Sequence, residues 1–237
     1  MKKYLFILGL IGSSFAGVCD GISLQDHLPG IPPNAKIISK KEKYGLCEIV
    51  IKDNTQYVVI YATKDFILFG DLIRYGKSET QELLVKLRKE KFKELRKELD
   101  KVAATTYKPV KKPKAVLYFI SDPDCPYCNA VKKKVKELAD KYELEVKLIW
   151  FPLPFHKGAD KKAESFICLN KAFKDYLEDD YGDKPCKVGE EKVKKSIKLV
   201  QELGVNGTPT FFLDNGTMIV GANIKALEDA IRRSINK

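Results

Sequence analysis

The chain is poor in the residues that build most metal centres: its 237 residues include only two histidines, His27 and His156, and one tryptophan, Trp150. A structural zinc site needs four soft ligands at close spacing. Here one CxxC pair stands without a second half, so neither a metal nor any other cofactor is expected. His27 and His156 read as surface or loop residues, and Trp150 as packing at the end of a strand. Also missing are a zinc-finger pattern and an RNP-like aromatic strand, which matters because the net charge is +11. The lysines alternate with acids, as in KLRKEKFKELRKELDK (Lys86 to Lys101). That pattern is a solvated helix face, and no nucleic-acid partner is expected. The Lys/Glu richness is also compatible with a heat-adapted source. Apolar residues make up 44% and charged residues 32%, which excludes wholesale disorder and allows one large domain or two modest ones.

The longest apolar run near the start, Tyr4 to Ile11, is too short for a comfortable membrane span. Lys2 and Lys3 precede it and GSSFAG (Gly12 to Gly17) follows, with Ser14 and Ala16 in the small-x-small arrangement of a signal-peptidase site. A signal peptide over residues 1–16, cleaved after Ala16, is expected, and hence an exported, periplasmic protein. A lipid anchor on Cys19 is the rival, disfavoured because Val18 is a poor residue before a lipidated cysteine. Export makes the six cysteines a candidate disulfide framework.

Four strand-like runs come next: Ala35–Ser39, Leu46–Lys52, Gln56–Ala62 and Phe66–Tyr75. They suggest an antiparallel meander of about sixty residues, near the lower limit for an independent core. From Ser78 to about Ala104, Leu84, Leu87, Phe92, Leu95, Leu99 and Val102 recur at helical spacing, with Ser78 and Gln81 suited to a capping box. So narrow a stripe is either packed on a neighbour or belongs to a rigid connector. Pro109 and Pro113 then mark a boundary. Beyond it the pattern alternates: a strand at Ala115–Ser121, a helix from Pro126 to Tyr142 and a strand at Leu144–Phe151. Helices follow at Ala159–Leu177 and Glu190–Leu203, then a hairpin at Thr210–Gly221 and a last helix from Asn223. The order implies an α/β sheet covered on both faces.

SDPDCPYC (Ser121 to Cys128) places the CxxC between a buried strand and a helix start. A cysteine at a helix N-terminus is held as thiolate by the unpaired N–H groups there. Cys125, nearer the loop, is therefore the expected nucleophile, and Cys128, one turn deeper, the resolving thiol. Pro126 suits the first helical turn. Asp122 and Asp124 add negative charge and oppose the thiolate. A purely structural bridge across so small a loop would contribute little.

Thr208-Pro209 directly before a strand resembles the cis-proline loop of thioredoxin-fold proteins, where it would lie against Cys125 and offer backbone groups to substrate. With FGDLIRY at the end of the meander, FPLPFHKGADKKAESFICLNKAF after the second strand, and LGVNGTPTFFLDNGTMIVG, the mature chain resembles the DsbC/DsbG family of periplasmic thiol:disulfide interchange proteins. CPYC looks like the DsbG form, and the linker and second bridge equally like DsbC, so the subfamily stays open. The resemblance implies a thioredoxin-like catalytic domain with a helical insertion at 109–237, after an antiparallel β dimerisation domain at 17–77 and a linker helix at 78–108. It implies a homodimer isomerising or reducing wrong disulfides in misfolded exported proteins, recharged by a membrane-bound thiol reductant. It also implies a structural disulfide between Cys168 and Cys186.

Two departures stand out. Phe119 occupies the strand position where thioredoxins keep a buried acid, and no histidine lies inside the CxxC; both fit an isomerase or reductase better than an oxidant. Cys19 and Cys47 are a candidate third bridge, with a buried free thiol at Cys47 as the alternative. The competing functions are a holdase chaperone whose thiols are secondary, and a dedicated reductant for one partner such as apocytochrome c.

Overall fold

The computed structural model describes residues 17–24, 35–53 and 56–236; the expected leader and His27 lie outside the described residues. Two compact units are present, one ending at residue 71 and the other running from Leu72 onward, with Gln56 and Tyr57 assigned to the second.

The first unit is a four-stranded sheet in the order β1 (Lys36–Lys43), β2 (Leu46–Asp53), β3 (Gln56–Ala62), β4 (Ile67–Phe69). Alternation on β2 sends Cys47, Ile49 and Ile51 to one face, where they bury with Ile22, Leu24, Ile60 and Ala62. A disulfide joins Cys19 to Cys47 and ties the preceding segment to this core. The run 66–75 is not one strand: pairing stops after Phe69, where Gly70 adopts φ +151°.

The second unit opens with a small hairpin of β5 (Ile73–Arg74) and β6 (Lys77–Ser78). Tyr75 and Gly76, both at positive φ, make the two-residue turn whose twist suits a hairpin. Helix α1 (Glu79–Val102) starts on Ser78, whose Oγ accepts from the Gln81 N–H at 3.0 Å. Of the two readings of its apolar stripe, the packed one holds. Phe92, Leu95, Leu99 and Val102 are buried with Tyr118, Ile120 and Phe212, and Phe92 stacks on Phe212 at 5.1 Å.

The remaining elements are β7 (Thr105–Tyr107), β8 (Ala115–Ser121), α2 (Pro126–Tyr142), β9 (Leu144–Trp150), α3 (Ala159–Cys168), α4 (Phe173–Leu177), α5 (Lys187–Glu202), β10 (Thr210–Leu213), β11 (Met218–Val220) and α6 (Ile224–Ile235). They form a five-stranded sheet in the order β11-β10-β8-β9-β7. Strands β8 and β9 are parallel, while β10, β11 and β7 run antiparallel to their neighbours. Side chains of β8 alternate: Leu117 and Phe119 join α2 and α6 in one core cluster, Tyr118 and Ile120 join α1 and α5 in another. Both faces are covered, which is why the strand reads as a continuous apolar run. The single helix expected at 159–177 is two, separated at Leu169–Ala172 where Asn170 turns to φ +49°.

Candidate active site

Strand β8 ends at Ser121, and the chain turns through Asp122-Pro123-Asp124 into α2. Cys125 is the N-cap of that helix, with extended backbone, and Pro126 fills its first turn. The Cys125 N–H donates to the Asp122 carbonyl at 3.2 Å, closing the turn. Cys128 lies one turn in. Neither thiol is in a disulfide; Cys125 is 3% exposed and Cys128 fully buried.

From across the sheet, the loop before β10 brings Thr208 and Pro209. The Thr208–Pro209 peptide is cis, and the Cys125 Sγ–H donates to the Thr208 carbonyl oxygen at 3.4 Å. The Gly221 N–H donates to the Pro209 carbonyl at 2.8 Å and the Thr210 hydroxyl to the Gly207 carbonyl at 2.8 Å, so both sides of the loop are pinned. Thr208 Oγ1 is buried and accepts or donates no hydrogen bond in the dithiol state.

The two thiols are electrostatically unequal. A hydrogen bond from the Cys128 thiol is the largest influence holding the Cys125 thiol down to about 5, from an ordinary value near 9. Burial opposes it, and the Thr208 hydroxyl and the Cys128 and Tyr127 amides reinforce it. The helix terminus thus contributes, but less than the partner thiol. Burial first, and the bond to Cys125 second, push the Cys128 thiol far up. Cys125 is thus biased toward its thiolate and Cys128 toward its thiol.

The two aspartates expected to oppose the thiolate are both engaged elsewhere. Asp124 forms an ion pair with Lys162 of α3. Asp122 is completely buried: its Oδ1 accepts from the Asp124 N–H at 2.7 Å, its Oδ2 from the Leu153 N–H at 2.6 Å. His156 Nδ1 lies 2.8 Å from that same Oδ2. Asp122 therefore knits the CxxC turn to the loop after β9, and His156 is a structural partner in that loop rather than a free surface residue. The sequence signal for it was slight: a lone His four residues past a Phe-Pro.

Phe119, at the strand position free of any acid, stacks on Phe211 at 4.9 Å and meets the Tyr176 ring edge-on at 5.8 Å. Behind Cys128 lies a polar group the sequence did not flag, comprising Ser121, Tyr176 and Lys132, all buried. The other cysteines stand apart from this site: Cys168 at the end of α3 is bonded to Cys186 at the start of α5, and Cys19 to Cys47 in the first unit. Trp150 is buried against Phe166, Tyr176 and Tyr181. Among the described residues no group of three or more His, Cys, Asp or Glu is placed to hold a metal ion.

The thioredoxin-like domain family matches residues 100–232 of the chain. The thiol:disulfide interchange protein DsbC of Pasteurella multocida is 25% identical over 226 residues, covering 93% of this chain and 94% of that protein. The DsbC of Salmonella typhimurium is 25% identical over 232 residues, covering 93% and 91%. A linker-deleted variant of Proteus mirabilis ScsC superposes with a TM-score of 0.53 at 19% identity, covering 66% of this chain and 86% of that one, a likeness of fold. With a helix-capping thiol of low pKa, a buried partner thiol and these relatives, the chain belongs to the thioredoxin-like family, as a DsbC-like disulfide oxidoreductase.

Proposed function

We propose that the protein isomerises or reduces incorrect disulfides in exported proteins, in the periplasm, as a homodimer. The observation that carries this is the unequal thiol pair at the start of α2, set against the Thr208–Pro209 turn. In this reading the Cys125 thiolate attacks a client disulfide, forming a mixed disulfide and releasing one client thiolate. Either another client thiolate then attacks the mixed disulfide, which isomerises the client and regenerates Cys125, or Cys128 does so, which reduces the client and leaves Cys125–Cys128 oxidised. A membrane-bound thiol reductant returns the pair to the dithiol state. Thr208 and Pro209 offer backbone groups to the client beside Cys125.

Dimerisation through residues 17–77 is supported by the edge of the first sheet. Among the described residues strand β4 has a neighbour on one side only, and Phe66, Leu68 and Phe69 on or beside it are exposed. An apolar edge strand of this kind is a template for pairing with a second chain. Two copies joined there would hold a misfolded client between two Cys125 sites while its disulfides rearrange.

The test is reactivation of a scrambled disulfide-bonded protein by the full-length chain, with sedimentation to report its oligomeric state. Reactivation by a dimer, lost in Cys125→Ser, is expected. A monomer, or reactivation that survives Cys125→Ser, overturns the reading.

A further inference from the structure

The resolving step poses a problem that the two cysteines do not solve. Cys128 is fully buried, so its thiolate must form out of contact with water. Burying an unpaired anion is costly unless a donor is already aimed at it. The nearest strand position that could hold an acid carries Phe119, whose environment is aromatic.

Hydroxyls stand in this place instead. Ser121, the last residue of β8, and the Asp122 amide both favour the Cys128 thiolate, against the burial that opposes it. The Ser121 Oγ lies 2.8 Å from the Tyr176 hydroxyl, and both residues are fully buried. Either oxygen of that pair can be the donor. Tyr176 itself is held by a second buried group, Lys132, which sits on α2 one turn beyond Cys128 and so on the same face. Its Nζ donates to the Tyr176 carbonyl at 3.1 Å and to Asp179 at 2.5 Å, and stands 5.4 Å from the Tyr176 ring centroid. Burial, with the adjoining Cys128 charge, keeps Tyr176 in its O–H form throughout.

We propose that Tyr176 is a positioning residue for the resolving step, acting through Ser121 as a reversible two-hydroxyl chain aimed at Cys128. In the mixed disulfide, where Cys125 is no longer a thiolate to receive it, the Cys128 S–H can donate to Ser121 Oγ and the Ser121 hydroxyl to Tyr176. When Cys128 ionises, both hydroxyls turn over: Tyr176 donates to Ser121, and Ser121 donates to the sulfur anion. No proton leaves through the chain, because neither hydroxyl changes its protonation state. The Cys128 thiolate attacks Cys125 Sγ, the Cys125–Cys128 bond forms and the Cys125–client bond breaks. The client sulfur departs with the electron pair and takes the proton that Cys128 gives up, so the leaving group is the base for the buried thiol. Lys132 fixes the direction of the chain by holding the Tyr176 backbone and ring.

This rests on Cys128 being the resolving thiol, and the experiment separates the two claims. Load full-length reduced protein at Cys125 with glutathione and follow glutathione release under single turnover between pH 6 and 9. Cys128→Ser must abolish release; release at the parent rate would remove the resolving role itself, whatever the hydroxyls do. Given that loss, Ser121→Ala should slow release about tenfold at every pH, since a hydrogen bond to a charged group is worth roughly that much. Ser121→Thr, which keeps a hydroxyl, should restore most of the rate. Tyr176→Phe should slow release several-fold, and by nothing further in the Ser121→Ala background, because the two act in series. The initial attack by Cys125 on oxidised glutathione, measured separately in the Cys128→Ser background, should not change with either substitution. Release at the parent rate in Ser121→Ala, or equal slowing of attack and release, overturns the proposal. Should Ser121→Ala fail to fold, Tyr176→Phe decides alone: release at the parent rate overturns it, and slowed release with unchanged attack supports it.

Discussion

The Cys125 thiol sits 3.4 Å from the carbonyl oxygen of Thr208, a residue 83 positions away in the chain. This one contact joins the two halves of the site, the helix start that carries both thiols and the loop that borders it. Thr208 accepts from the thiol through its carbonyl, and its side chain is among the groups that lower the Cys125 pKa.

Selective alkylation of the reduced protein should modify Cys125 before Cys128, with a rate midpoint near pH 5. Iodoacetamide labelling followed by peptide mapping reads this directly. A midpoint near 9, or earlier labelling of Cys128, would contradict the assigned roles.

Removing the Thr208 hydroxyl in Thr208→Val leaves the backbone in place and deletes one donor to the thiolate. The midpoint should rise by about one unit, the effect of a single charge-assisted hydrogen bond. Lys162→Met frees Asp124 beside the helix start and should raise the midpoint by less, in a salt-dependent way, because that pair is partly exposed. An unchanged midpoint in Thr208→Val would show that its hydroxyl does not reach the sulfur.

The depressed Cys125 value also ties redox state to stability. A thiol that ionises near 5 when folded and near 9 when unfolded binds fewer protons in the native state between those limits. The reduced protein should therefore gain stability relative to the oxidised one as pH rises from about 5 toward 9, and lose it as pH falls through 5. Denaturant unfolding of both redox forms at pH 4.5, 6 and 8 (about one unit or more apart across that window) checks the sign. A difference independent of pH would mean that Cys125 is not ionised in the native state.

Much of this site is legible in the residues because its chemistry is local. CPYC at a strand–helix junction, with Pro126 in the first turn, places both thiols without any knowledge of packing. The rest depends on contacts between distant segments. Asp122 reads as a charge next to the thiol, yet one of its oxygens is taken up by the Asp124 N–H and the other by Leu153 and His156, some thirty residues away. Lys132 looks like one of three consecutive lysines; only its place on the buried stripe with Cys128, Val131 and Val135 distinguishes it. Strand β7 was hidden because Thr105–Tyr107 is short and leads into two prolines, so its pairing with β9 had no local signature. The stretch 66–75 carries strand-like residues throughout, and Gly70 ends the pairing.

The Cys168–Cys186 bridge closes a loop with a sequence separation of 18 in the helical insertion. Replacing both with Ser should cost about 3 kcal/mol in global stability by loop-closure entropy, with the Cys125 midpoint unmoved. Gly189→Ala should also destabilise, since a Cβ there would come within 2.5 Å of the Glu164 carbonyl and 2.6 Å of the Cys168 sulfur. Thermal unfolding measures both; a shift in the Cys125 midpoint with either change would show that the insertion tunes the site.

Phe69→Glu places a charge on the edge strand of the first sheet at a position that is itself exposed. It should convert the proposed dimer to a monomer by sedimentation, leave reduction of a small disulfide intact and abolish reactivation of a scrambled protein. A dimer that persists, or a monomer that reactivates as well as the parent, would separate isomerisation from this edge.

The central claim, that Cys125 attacks client disulfides, is tested most directly by trapping the covalent intermediate. Full-length Cys128→Ser should be mixed with a scrambled disulfide-bonded protein, quenched with acid and resolved without reductant. A complex joined through Cys125, released by reductant and absent when Cys125 is also replaced, is the expected result. No complex, or one joined through Cys19, Cys47, Cys168 or Cys186, would contradict the account.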